Sequence, residues 1–118
     1  DLNLPINKLE KQRDNKKIWR KKVNSELKNS YRKIFKLIDK LIFLKVPNFR
    51  FVLKWRLLQE KKLRITSKGN KTMSDKQIGD FIMFYERITK HMLKTLPKKA
   101  DVTINIDESH RLKSIRFN

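Results

Sequence analysis

Residues 49–63 read FRFVLKWRLLQEKKL. At about 100° per residue, a helix over this stretch puts Phe49, Val52, Leu53, Arg56, Glu60 and Leu63 on one face. Four of these form the apolar stripe of a packed helix. Arg56 and Glu60 are an opposite-charge pair one turn apart in the middle of that stripe. A charge is costly to bury unless it is paired, and a buried pair adds little to stability. The pair therefore reads as the wall of a cleft, or as a fixed ion pair against another helix.

On the N-terminal side of this helix, Leu41-Ile42-Phe43-Leu44 and then Val46 form a short apolar run before Pro47. Its length and its β-branched and aromatic content favour a strand buried on both faces, as in a parallel sheet. Pro47-Asn48 is then a strand-to-helix turn, with Asn48 as the N-cap. Further upstream, Trp19, Val23, Leu27, Tyr31, Ile34, Phe35 and Ile38 recur at three and four, which predicts one amphipathic helix over residues 18–38. Pro5 can open a short helix that runs to Arg13, and Asp14-Asn15 breaks it.

On the C-terminal side, residues 65–73 predict a loop with Gly69-Asn70 at its tip. Ser74-Asp75-Lys76-Gln77 is a capping box with an acid in the first turn. It opens a long helix with Ile78, Phe81, Ile82, Tyr85 and Met92 on its face, and Pro97 stops that helix. Val102, Ile104 and Ile106 alternate with Thr103 and Asn105, the pattern of a half-buried strand. Residues 107–110 can turn, and Leu112, Ile115 and Phe117 suggest a last strand. Strands joined by helices predict an α/β fold with a parallel sheet. Two or three short strands are too few for a sheet on their own. The expectation is one domain over residues 1–118, mostly helical and incomplete.

With 38% hydrophobic residues the chain can build a modest core, so it is not simply disordered. A formal charge of +19 makes polyanions the first partners to consider, and a small basic nucleic-acid-binding module is the alternative function. The basic residues fall mostly between apolar positions, as on solvated helix faces, and no recognised nucleic-acid motif accompanies them. The absence of cysteine excludes a disulfide framework and thiolate chemistry. No apolar run reaches the length of a membrane span, and a cytoplasmic protein is expected. The two histidines, His91 and His110, lie far apart without carboxylates at ligand spacing, so no metal site is expected. Gly69 and Gly79 are the only glycines, too few for a P-loop or a dinucleotide fingerprint.

Ligands of open α/β sheets sit at the carboxyl ends of the strands. Here that end is Lys45-Val46-Pro47-Asn48, where the helix over residues 49–63 begins. The helix then carries Arg56, Lys61, Lys62 and Arg64 toward the Gly69 loop. Arginine suits bidentate phosphate contact and lysine a point-charge contact. A basic segment that closes over phosphates is a device by which kinases exclude water and neutralise developing charge.

These residues carry a resemblance. Lys54 to Arg64 (KWRLLQEKKLR), Met73-Ser74-Asp75, Phe81, Tyr85 and Ala100-Asp101-Val102 resemble the C-terminal half of D-glycerate 3-kinase, a P-loop kinase related to uridine kinase and phosphoribulokinase. Asn7-Lys8-Leu9-Glu10, Asp14, Trp19-Arg20, Val23-Asn24 and Leu27 match the same family upstream. The resemblance runs over nearly the whole chain. It implies a partial P-loop kinase-like fold and ATP-dependent, Mg²⁺-assisted phosphorylation of a small hydroxy acid. It implies that the helix over residues 49–63 and the Gly69 loop form a lid, with Arg56, Gln59, Glu60 and Arg64 on the phosphate side. The family's Walker A loop and catalytic carboxylate fall N-terminal to these residues, and nothing here replaces them. The chain alone is therefore expected to be inactive. Its expected partners are the missing nucleotide-binding half or a second copy, with nucleic acid only as a non-specific partner and no membrane.

Overall fold

A computed structural model of the chain describes residues 1–67 and 71–118. The expected Gly69-Asn70 tip lies outside the described residues. The elements in order are α1 (Lys8–Arg13), α2 (Ile18–Lys28), α3 (Ser30–Phe35), β1 (Ile42–Lys45), α4 (Phe49–Thr66), α5 (Asp75–Thr95), a 3₁₀ turn (Leu96–Lys98), β2 (Val102–Ile106) and β3 (Leu112–Phe117). They fall into two compact units, Asp1–Leu41 and Ile42–Asn118. The fold is α/β and mostly helical, with one three-stranded mixed sheet. Among the described residues no helix is long and apolar enough to cross a membrane.

In the N-terminal unit, α1 starts at Asn7, whose side chain accepts from the Glu10 backbone N–H at 3.0 Å. The first helical residue is Lys8, so the expected start at Pro5 is three residues early. Asp14 ends α1 and also caps α2, accepting from the backbone N–H groups of Trp19 at 2.9 Å and Arg20 at 3.1 Å. The N-cap position itself holds Lys17 at φ 63°, and its side chain cannot cap. The single helix expected over residues 18–38 is two helices that break at Asn29. Asn29 stands at φ −106° and ψ −76°, off the regular helix, while around it the side chains of Asn29 and Ser30 bond back one turn to Ser25 Oγ at 3.3 Å and Glu26 Oε2 at 2.6 Å. Past α3 the backbone tightens to i→i−3 bonds, Leu37 to Ile34 and Ile38 to Phe35.

In the C-terminal unit, β1 and β2 pair in parallel, with Ile42 opposite Val102 and Lys45 opposite Asn105. β3 pairs antiparallel to β2, with Val102 opposite Phe117 and a bulge after Asn105. The crossover between the parallel strands is the α4–α5 pair, whose helices lie against each other. Asn48 caps α4 through the Arg50 N–H, and the Ser74/Gln77 capping box of α5 closes in both directions. Trp55 of α4 stacks on His110 in the β2–β3 turn, with rings 4.2 Å apart and 12° from parallel. Asn118 and Arg116 bond the Pro97 carbonyl and fasten β3 to the 3₁₀ turn.

The core of this unit is Phe43, Ile78, Ile82 and Ala100, with Thr103 buried among the polar residues. Phe43 and Thr103 are register partners, so the covered side of the sheet is theirs. Two expectations change here. β1 is not buried on both faces, because Ile42 and Leu44 are 60% and 61% exposed. In β2 the deepest residue is Thr103, at 2% exposure, rather than its apolar neighbours. Alternation identifies residues that share a face, but the packing of other elements decides which face is covered.

Candidate functional site

The four residues singled out for a lid meet in one network at the end of α4. Arg56 Nη1 donates to Glu60 Oε2 at 2.6 Å and to Gln59 Oε1 at 3.3 Å. Glu60 is the one buried residue of α4, and its other oxygen accepts from the backbone N–H of Met73 at 2.7 Å. One turn on, Arg64 donates to the Met73 carbonyl from Nε at 3.1 Å and from Nη2 at 2.6 Å, and its Nη2 also reaches Asp75 Oδ1 at 2.7 Å. Both backbone polar atoms of Met73 are thus held by side chains of α4. Met73 Sδ lies 3.9 Å from Arg56 Nη2. The result is a clamp that fixes the residue leading into the capping box of α5.

The electrostatics follow from that geometry. The Met73 N–H holds the Glu60 carboxyl below the usual carboxylate range, against the opposing effect of burial, and Arg56 and Arg64 add to the lowering. Glu60 is therefore an ionised anchor and a poor proton acceptor. Arg56 is half-buried with its Nη groups engaged, while its Nε–H bonds nothing among the described residues. A guanidinium carries five N–H donors in a fixed fork, so an edge remains that can meet an anion. Gln59 and Arg64 are exposed.

The carboxyl ends of β1 and β2 come together as the strand order requires. A cleft of about 580 Å³ opens there, with Lys45 and Pro47 on one side and Asp107, Glu108 and Lys113 on the other. The sequence marked the β1 end. The β2 end joins it only through the long-range register, which leaves no local signal. Met73 and Asp75 were also missed as clamp partners, because the N–H and carbonyl of Met73 are backbone groups that carry no sequence signature, and Asp75 reads locally as a first-turn acid of α5.

In the N-terminal unit the family-like residues Asp14 and Arg20 form a second network. Arg20 is 6% exposed. It pairs with Asp14 Oδ2 at 3.0 Å and donates from Nε to the Leu2 carbonyl at 2.7 Å. Burial pushes the Asp14 carboxyl up, but the Trp19 and Arg20 N–H groups and the guanidinium outweigh it, so the net shift is downward. A shallow basic groove of about 540 Å³ lies at the α2–α3 break, flanked by Lys28, Arg32, Lys33 and Lys36.

Among the described residues, no group of three or more acidic or histidine side chains is placed to hold a metal ion. The donor set of this chain does not make a cradle for Mg²⁺-ATP, since the sequence lacks the glycines of a Walker A loop. Arg56 fits a phosphate contact and no more than that. No family model, no curated protein and no solved structure matches the chain.

Proposed function

We propose that this chain is the C-terminal, lid-bearing region of an ATP-dependent kinase of the D-glycerate 3-kinase type, acting with a nucleotide-binding half of P-loop architecture. One observation carries the reading. The two most specific pieces of the resemblance, Trp55-Arg56…Gln59-Glu60 and Met73-Ser74-Asp75, are separate in sequence and joined in space through the Glu60–Met73 and Arg64–Asp75 bonds. The two helices that carry them lie against each other, and the first springs from the carboxyl end of a parallel strand, where α/β ligands bind. In this reading the clamp keeps the hairpin from collapsing and aims the remaining edge of Arg56 at a phosphate. The other half holds ATP and Mg²⁺ in this reading, this chain contributes the lid and substrate-side elements for the small hydroxy acid, and the enzyme works in the cytoplasm.

Arg56 stabilises charge that develops on the transferred phosphoryl group, so its loss acts on rate more than on folding. In the enzyme completed with its nucleotide-binding half, Arg56→Ala is expected to lower the rate of D-glycerate phosphorylation by at least about tenfold. The 118-residue chain alone should hydrolyse ATP at background. Unchanged turnover in the variant would confine Arg56 to the clamp, and real turnover by the isolated chain would overturn the division of labour.

A further inference from the structure

The register of the sheet sorts its side chains into two sets. One set, containing Phe43, Thr103 and Arg116, faces the covered side. The other contains Ile42 and Leu44 of β1, the apolar residues of β2, and Leu112, Ile115 and Phe117 of β3. Among the described strand residues, every one that the register assigns to this second face is apolar, and Lys113 sits unpaired at the bulge beside it. Exposures along this second face are 60% for Ile42, 61% for Leu44, 60% for Leu112, 48% for Ile115 and 75% for Phe117. That is the equivalent of about three whole large side chains. At about 150–200 Å² each, it amounts to roughly 500 Å² of contiguous apolar surface. The largest apolar patch of a typical monomer is of about this size and is often functional.

We propose that this bare face is a self-docking surface, and that two copies of the chain pack sheet against sheet across a two-fold axis. The area decides for a second copy. Interfaces are about 60% apolar, so roughly 500 Å² of apolar surface corresponds to about 800 Å² per partner, the standard size of a stable association. A flat, three-stranded apolar face is self-complementary under a two-fold axis, because each copy presents the same patch to the other. Each copy also carries a formal charge of +19, and the two repel. Added salt screens that repulsion and strengthens the dimer. Binding of a polyanion by the same chain responds to salt in the opposite sense. The proposal does not depend on the kinase reading, since it is measured without any phosphoryl transfer.

The test is sedimentation equilibrium of the 118-residue chain at micromolar concentration in low and high sodium chloride. The expected result is a species of twice the 14.3 kDa chain mass, with association tightening several-fold as salt rises. Leu44→Lys should weaken association at least tenfold. Ile115→Thr, which keeps β-branching and removes apolar surface, should weaken it with an unchanged circular dichroism spectrum. Leu37→Lys, at an 80% exposed position of the N-terminal unit, should leave the dimer intact. A monomer at both salt concentrations would overturn the proposal. So would a dimer that survives Leu44→Lys and Ile115→Thr but is dispersed by Leu37→Lys.

Discussion

Glu60 occupies a position on α4 that ordinary packing gives to leucine. It earns that place by accepting from the Met73 N–H while pairing with Arg56. Its carboxyl titrates below the usual range in the folded state, first through the Met73 bond and then through the arginines. The stability it contributes is therefore present above the unfolded carboxylate pKa of about 4.3, and is lost as pH falls through the lower folded value. Glu60→Gln keeps an acceptor for Met73 but removes the charge. Its melting temperature should be lower than that of the wild type at pH 7, and the gap should narrow as pH drops below the carboxylate range. Thermal melts of both chains between pH 7 and pH 3 check this, and parallel curves would exclude Glu60 as a source of the acid sensitivity. At this scale the sequence was half legible. The i,i+4 spacing revealed the Arg56–Glu60 pair and its inward phase. The partner that explains the burial is a backbone amide thirteen residues away, and no residue type announces it.

The helices and strands were legible where their local signals agreed. The α5 capping box appears as read, because Ser74 and Gln77 make their reciprocal bonds within one turn of chain. The break at Asn29 was hidden by an apolar period that runs straight through it, although the backbone leaves the regular helix there. The covered face of β2 was also misread, since the alternation of Val102, Ile104 and Ile106 looks inward on its own, and Thr103 wins by facing the same side as Phe43. Within α5, Gly79 stands in the helix interior with open space where a Cβ would be. Its backbone is helical, so alanine fits there and restricts the unfolded chain. Gly79→Ala is expected to stabilise the C-terminal unit by about 0.5–1 kcal/mol. Urea denaturation followed by circular dichroism measures this, and a loss of stability would mean that the site packs against something.

For the whole molecule, the order of elements predicted the α/β class and composition the modest core, but neither showed the division into two units. The charge of +19 is spread widely, with Lys22, Arg56, Arg64 and Lys90 among the cations that pair with acids. The exposed pairs among these, such as Lys22–Glu26, contribute little to stability, and the net charge left over makes the protein repel its own copies at low salt. Among the described residues, four buried apolar side chains make a small core, and the exposed apolar face of the sheet is the counterpart of that smallness.

The parallel pairing of Ile42 with Val102 also sets the order of folding events. The two strands are sixty positions apart, and closing so long a loop costs entropy before any ladder bond rewards it. The Met73 clamp joins α4 to α5 locally and folds much of that loop in advance. The helical hairpin should therefore be largely formed in the transition state, and the sheet should zip afterwards. Chevron analysis should give a high φ-value for Ile82→Val in α5 and a low one for Phe43→Leu in β1. The reverse ranking would place the sheet first. On a growing polypeptide β1 is made before its partner β2, so its apolar strand stays unpaired while some sixty further residues are added, and it is open to chaperones over that interval.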